Sequence, residues 1–433
     1  MSLQRSSHLL AELSVLVATV CFSHSAAEGE ENHFIEAYLM KGQLKEGVQA
    51  VTQHLERKPD DQSTRFTLGM VQFFQALEGL GQDQYRYGLL AGRARALPFM
   101  RLPIGENDDP EQINYDKARK IIQNFVDRLH TAEQTLSDVD PESVVVPLRV
   151  GQVRVDLNGD GDTPNEESIW HITQVLQNPR ISNENPEVRD FQIVFDAGDV
   201  PWLQGYCHAL SALGEIVLAH NWKDQFERTA HLFYPKVDSP YDFLAAEGTG
   251  AFFSFGAQNA LDLLAWVHTI NYEVTEPERM RKALLHFETM IQLSRTSWTL
   301  IEQEQDDNRE WVPNPLQTSV MRGFNVTGNV VTGWKDFLDE MDLVLKGRKL
   351  VPFWRGIKGG VSPFTTAVPI NPTLGINVRR IFTEPTRLDL ALWLQGTAAL
   401  PYLERGDITS PRKWDRMMRQ FQGQFFNFAL WFN

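Results

Sequence analysis

Between residues 156 and 167 the chain reads Asp-Leu-Asn-Gly-Asp-Gly-Asp-Thr-Pro-Asn-Glu-Glu. Side-chain oxygens therefore fall at Asp156, Asn158 and Asp160, a glycine at Gly161 and a closing carboxylate at Glu167. In a tight turn, alternate residues bring their oxygens onto one centre, and a terminal Glu completes the shell with both of its oxygens. A hard divalent cation with six to eight oxygen ligands, Ca²⁺ above all, suits such a set. Asp162 stands where the usual ligand is a backbone carbonyl, so it contributes its C=O. Pro164 has no side-chain donor, and water or backbone fills that place. A loop of this kind on its own is expected to bind at about 10⁻⁴ to 10⁻³ M, which serves only where calcium is plentiful. The competing reading is a metal-free turn, because Asp, Asn and Gly also build turns without a cation.

The spacing resembles the EF-hand calcium loop. On the exit side, Thr163 suits an N-cap, Pro164 the first helical position and Glu166 the capping-box position, which predicts a helix running through Ile169, Ile172 and Val175 with Glu167 in its first turn. On the entry side, residues 144–150 (Val-Val-Val-Pro-Leu-Arg-Val) are β-branched and contain Pro147. That predicts an extended entry in place of the entering helix of an ordinary EF-hand.

A second set of candidate chemistry lies at residues 195–208. If Pro201 opens a helix, His208, Ser211, Ala212 and Glu215 share one face, with His208 and Glu215 about 10 Å apart along the axis. They cannot touch each other, so catalytic use would need Asp196, Asp199, His231 or Glu247 from elsewhere. Interhelical hydrogen bonding is the plainer use of such residues. Cys207 and His208 are adjacent and point about 100° apart, which excludes a nucleophile–base pair and leaves Cys207 a buried structural thiol. The chain has no H-E-x-x-H zinc motif, no Walker-type phosphate loop and no G-x-S-x-G elbow.

Residues 35–74 resemble a tetratricopeptide repeat pair: Leu44, Gly47, Val51 and Pro59 fall near the spacings of that repeat's second helix and terminal Pro, and Leu68-Gly69 falls where the next repeat's Leu-Gly belongs. The resemblance implies helical hairpins and a protein or peptide partner. Helical stripes continue at Tyr115–Leu136, Pro201–His220, Phe252–Val267, Glu276–Gln303 and around Trp334 to Leu345. An irregular Gly- and Pro-rich stretch follows between Lys346 and Asn377. Helices resume at Leu388–Leu400 and Trp414–Phe432, where Phe421, Phe425, Phe428 and Phe432 form a core stripe. The fold class is mainly α: tetratricopeptide-like hairpins in 28–137, a connector carrying the calcium loop in 138–180, and a larger C-terminal helical domain in 181–433. The polar stretch Asn178–Asn185 reads as a linker.

Arg5, the apolar run Leu13–Phe22 and Ser25-Ala26-Ala27 before Glu28 follow the order of a secretory signal peptide over 1–27. Export is the expectation, periplasmic or extracellular. Loss of Cys21 with the signal leaves Cys207 alone, with no internal disulfide. A net charge of −15 and a pI near 5.2 argue against nucleic acid, which needs clustered Lys and Arg. No integral membrane segment is expected after the signal. With DLNGDGD and DVPWLQGYCHAL behind a signal peptide, the chain resembles uncharacterised exported proteins of planctomycete-type bacteria, a resemblance that implies no activity. The reading is an exported calcium-binding helical protein acting as a binding or scaffold protein; the alternative is an exported hydrolase with a pocket around His208 and Glu215.

Overall fold

The computed structural model describes residues 34–91, 102–177, 190–244, 255–307, 310–318, 326–355, 374–421, 425, 429 and 432. Of these residues 61 % are helical and 8 % are in strands, so the class is mainly α. The expected signal peptide, the Asn178–Asn185 linker, Glu247 and Phe428 lie outside the described residues.

Short α1 (Glu36–Leu39) turns at Gly42, with φ of 65°, into α2 (Leu44–Arg57). The 25-residue α3 (Gln62–Arg86) follows after four residues, started by the Asp61 carboxylate, which accepts the Thr64 amide at 2.9 Å. Asn114 caps α4 (Tyr115–Ser137) in the same way through the Lys117 amide. Its buried stripe of Ile121, Val126, Leu129 and Leu136 packs between α3 and a later helix.

The connector is extended, as the valines and Pro147 imply: β1 (Val146–Leu148) pairs antiparallel with β2 (Ile193–Phe195), Val146 opposite Phe195. The exit from the loop differs from expectation. Residues Asn165–Glu167 form a 3-10 turn, and α5 (Ile169–Gln177) starts only at Ile169, with the Ser168 hydroxyl accepting the His171 amide. Ser168, not Thr163, is the cap. The local pattern misleads because Glu167 is held by a bond across the loop that no helix-start signal encodes.

Next come α6 (Asp199–Ala219), β3 (His220–Asn221), α7 (Lys223–Thr229), α8 (Phe255–His268), β4 (Asn271–Val274), α9 (Pro277–Ile301) and α10 (Gly328–Leu345). Beyond lie β5 (Val351–Pro352), β6 (Gly375–Ile376), α11 (Val378–Thr383), β7 (Leu388–Asp389), α12 (Leu390–Gln395), β8 (Leu403–Glu404) and α13 (Pro411–Gln420). Two small antiparallel sheets, β3-β4-β7 and β5-β6-β8, tie loops together. The long helices pack in series, α3 on α4, α4 on α6 and α6 on α9.

One hydrophobic cluster runs from Ile35 to Phe432 and includes the buried Trp170, Trp298, Trp311 and Trp334. Phe421, Phe425 and Phe432 are buried, and Phe432 sits between Trp298 and Trp334 at 4.7 and 5.7 Å between ring centres, so the C-terminal stripe is core. Phe353, Ile376, Ala399 and Tyr402 make a separate cluster around β5-β6-β8. No helix among the described residues is long and apolar enough to cross a membrane.

Candidate functional site

The loop at 156–167 is closed at its base by antiparallel backbone pairing: the Val155 amide donates to Glu167 O at 3.1 Å and the Ile169 amide to Val153 O at 2.8 Å. Gly159 and Gly161 take φ of 79° and 82°, the left-handed region that side chains resist, and so curl residues 158–162 back on themselves. The Asp156 carboxylate accepts the Gly159 and Gly161 amides at 2.7 and 3.0 Å. Asn158 Oδ1 accepts the Asp160 amide at 2.9 Å, and Asp160 Oδ1 the Asp162 amide at 2.7 Å. These bonds hold the first, third and fifth loop side chains on the inside of the turn.

Glu167 closes the ring. Its Oε1 accepts the Leu157 amide at 3.0 Å, while Oε2 is shut away from solvent with no hydrogen-bond partner, on a residue only 5 % exposed. A buried carboxylate oxygen left unpaired is costly, and a cation is one group that removes the cost. Burial first, and then the charges of Asp156, Asp160 and Asp162, push the Glu167 carboxyl up to about 8 against the opposing Leu157 amide. The donor set is hard oxygen throughout and fits Ca²⁺.

The loop is docked on the N-terminal helices. Thr163 Oγ1 donates to Lys41 O at 3.3 Å, and a Cβ on Gly42 would stand 2.4 Å from the Thr163 methyl, so a side chain there would meet both a strained backbone and the loop. From α3, Glu78 accepts the Asp156 amide at 3.2 Å and Gln82 donates to the Asp156 carbonyl at 2.9 Å, gripping the first loop residue by both sides of its backbone. Leu157 is fully buried against Gly81. Neither Glu78 nor Gln82 carries a sequence signal for this role. Burial, aided by Asp156, raises Glu78 to about 7.

The candidates on α6 are separated by their partners. His208 Nδ1 lies 2.7 Å from His286 Nδ1, and its Nε2 lies 3.5 Å from Glu133. Glu215 pairs with Arg279 at 2.9 Å. Residues 208 and 215 thus meet 286 and 279 of α9, an antiparallel register in which both face the same helix without converging on each other. His231 lies 3.4 Å from Asp262. Cys207 is buried, and burial pushes its thiol up.

Asp196 and Asp199 sit at the other end of α6. Asp199 accepts the Asp196 amide at 3.0 Å, and Asp196 accepts the Gly198 amide at 3.1 Å. Asp196, Glu304 and Glu310 place one carboxylate oxygen each within 4.8 Å of one another. Burial, then mutual charge, raises the carboxyls of Asp196, Asp199 and Glu304. The set can share protons among its members or bracket one cation. The signal for Glu304 and Glu310 is the acidic run between Glu302 and Glu310, which has no spacing rule to relate it to Asp196.

Two open clefts border these helices. One, of about 320 Å³, lies between α3 and α4 and includes Glu78, Gln82 and Arg128; the other, of about 250 Å³, includes Arg119, Lys120 and Arg279. Neither is lined by His208, Glu215, Asp196 or Asp199. Compared with known proteins, the chain matches no family model, no curated protein and no solved structure.

Proposed function

We propose that this chain is an exported calcium-binding protein that works by binding or scaffolding, with Ca²⁺ held by Asp156, Asn158, Asp160, the Asp162 carbonyl and Glu167. The observation that carries the reading is the buried, unpaired Glu167 Oε2 at the closing position of the loop. When bound, the ion supplies local neutralisation of the loop carboxylates. The chain's own residues do the rest: Glu78, Gln82 and Gly81 position the loop on α3, and Thr163 fastens it to the α1–α2 turn. The metal then acts as a clamp between the N-terminal helices and α5, with a partner met on the N-terminal helices. A hydrolase around His208 and Glu215 has weaker support, because Arg279 neutralises Glu215 and both His208 ring nitrogens are engaged.

The test uses the exported product, whose intact mass should begin near Glu28; retention of residues 1–27 in it would remove the export half of the reading. With that material, calorimetry should detect one calcium site in the range of about 10⁻⁴ M. At 1 mM Ca²⁺ such a site adds about 1.4 kcal/mol and should protect residues 138–165 from proteolysis. Glu167→Gln should abolish both effects and leave the helical circular dichroism intact. Identical cleavage in calcium and chelator, with no heat of binding, refutes the calcium half.

A further inference from the structure

Gln72, Gln75, Glu78 and Gln82 recur on α3 at helical spacing and so share one face, across a cleft from Arg128 and Thr131 of α4. Facing polar stripes usually close by bonding to each other, but here the pairing is incomplete. Gln72 Oε1 and Arg128 Nη1 are shut off from solvent without a hydrogen-bond partner, so a ligand in the cleft meets only the remaining atoms of these two side chains. Arg128 lies against bare backbone, since a Cβ on Gly79 would stand 2.1 Å from Nη1. Its ion pair with Asp83, at 3.8 Å, is too long for a hydrogen bond, and its side chain is 40 % exposed in the cleft. The basic cleft beside Arg119 and Arg279 differs. There Arg119 donates to two backbone carbonyls and Glu276, and Arg279 to Glu276, Glu215 and Gln123, so its guanidinium groups are satisfied within the fold.

We propose that the α3–α4 cleft binds a small carboxylated polyol of the hexuronic acid class, with Arg128 taking the carboxylate and the glutamine amides and Thr131 taking the hydroxyls. The side-chain chemistry selects this class. Apart from Gly79, the lining is three amides, a hydroxyl, a carboxyl and a guanidinium, with no aromatic or aliphatic side chain to seat a nucleobase, a lipid or an apolar peptide side chain. An amide both donates and accepts, as a sugar hydroxyl does, so the two match without a fixed polarity. A guanidinium recognises planar carboxylates through paired N–H bonds. Glu78 and Asp83 stand near the same guanidinium and disfavour a doubly charged phosphate. The volume, about 320 Å³, lies at the low end of small-molecule sites, which run from about 300 to 1,000 Å³.

The test is calorimetry on the full chain in chelator with D-glucuronate, and with D-glucose as the neutral control. Glucuronate should bind at least tenfold more tightly than glucose, and Arg128→Gln should remove at least tenfold of its affinity. Thr131→Val, which keeps the volume and loses one hydroxyl, should weaken glucuronate several-fold and gives a second readout should Arg128→Gln not fold. Absence of heat at millimolar glucuronate, equal affinity for the two sugars, or unchanged affinity in both variants overturns the proposal. Because the titration is run without calcium, Glu167→Gln should bind glucuronate like the parent chain, so failure of the calcium reading leaves this result standing and the reverse also holds.

Discussion

His208 and His286 face each other nitrogen to nitrogen at 2.7 Å, so one Nδ1 must donate and the other accept, and the pair survives only while it holds a single proton between them. Glu133 and His130 of α4, His208 of α6 and Lys282 of α9 itself all act on His286. Burial first, and the neighbouring His208 next, hold the His286 imidazole down to about 4. Its folded pKa therefore lies below the unfolded value of about 6.5, and the unfolded chain takes up the proton first as pH falls. Stability from this group is complete above pH 6.5 and is lost as pH falls toward 4. Glu133, lowered chiefly by its bond to His208, is lost in the same direction at more acid pH. Glu167 and Glu78, raised by burial, act oppositely and lose stability as pH rises from about 4.5, so the total profile mixes both signs. The separable quantity is a difference. Between pH 7 and pH 4 His286→Gln should lose less stability than the parent chain, by at most about 3 kcal/mol. Parallel pH profiles from urea titrations would show that His286 is not held neutral.

At the scale of elements, the readable part was periodic. Apolar stripes predict helices at 115–136 and 276–303, and the observed spans are Tyr115–Ser137 and Pro277–Ile301, because one buried face imposes the same period along its whole length. The turn at 156–167 was readable for a different reason, since its Asp, Asn and Gly positions follow one short local pattern, and Gly159 and Gly161 do take the left-handed conformation. What could not be read was pairing across sequence: Glu78 and Gln82 on Asp156, His286 on His208, and Glu304 and Glu310 beside Asp196. The delayed start of α5 belongs with them, since it follows from the Glu167 bond to the Leu157 amide. The contact of α3 with the loop is close enough to test. A Cβ on Gly81 would lie 2.5 Å from Leu157 Cδ2 and 3.2 Å from its Cα. Alanine gains about 1 kcal/mol in helix propensity, but overpacking a buried site costs about 1–3 kcal/mol, and backbone is among the atoms struck. Gly81→Ala should therefore destabilise the protein, and Leu157→Val added to it should recover part of the loss. A neutral or stabilising Gly81→Ala in a denaturant titration would disprove the tight contact.

On the scale of the whole molecule, the main cluster joins residues on both sides of the 156–167 loop, from Ile35 to Phe432, while the cluster of Phe353, Ile376, Ala399 and Tyr402 stands apart from it. The two can open by different events. Exposing Trp298 requires the large cluster to come apart, whereas the bond from the Asn377 amide to Tyr402 O, 2.8 Å, needs only the small one to loosen. Native-state hydrogen exchange should then show two tiers, with late exchange in α6 and α9 and earlier exchange around β6 and β8. Calcium at the proposed site would make the tiers distinguishable, because a ligand retards only those openings that destroy its site. At 1 mM Ca²⁺ and a dissociation constant of about 10⁻⁴ M, amides of the slow tier should exchange about tenfold more slowly. Those of the β5-β6-β8 unit should keep their rates; an equal slowing there would mean that the protein opens as one piece. A satellite cluster of four buried side chains thus predicts a second, shallower mode of breathing, one that calcium at the proposed site would not govern.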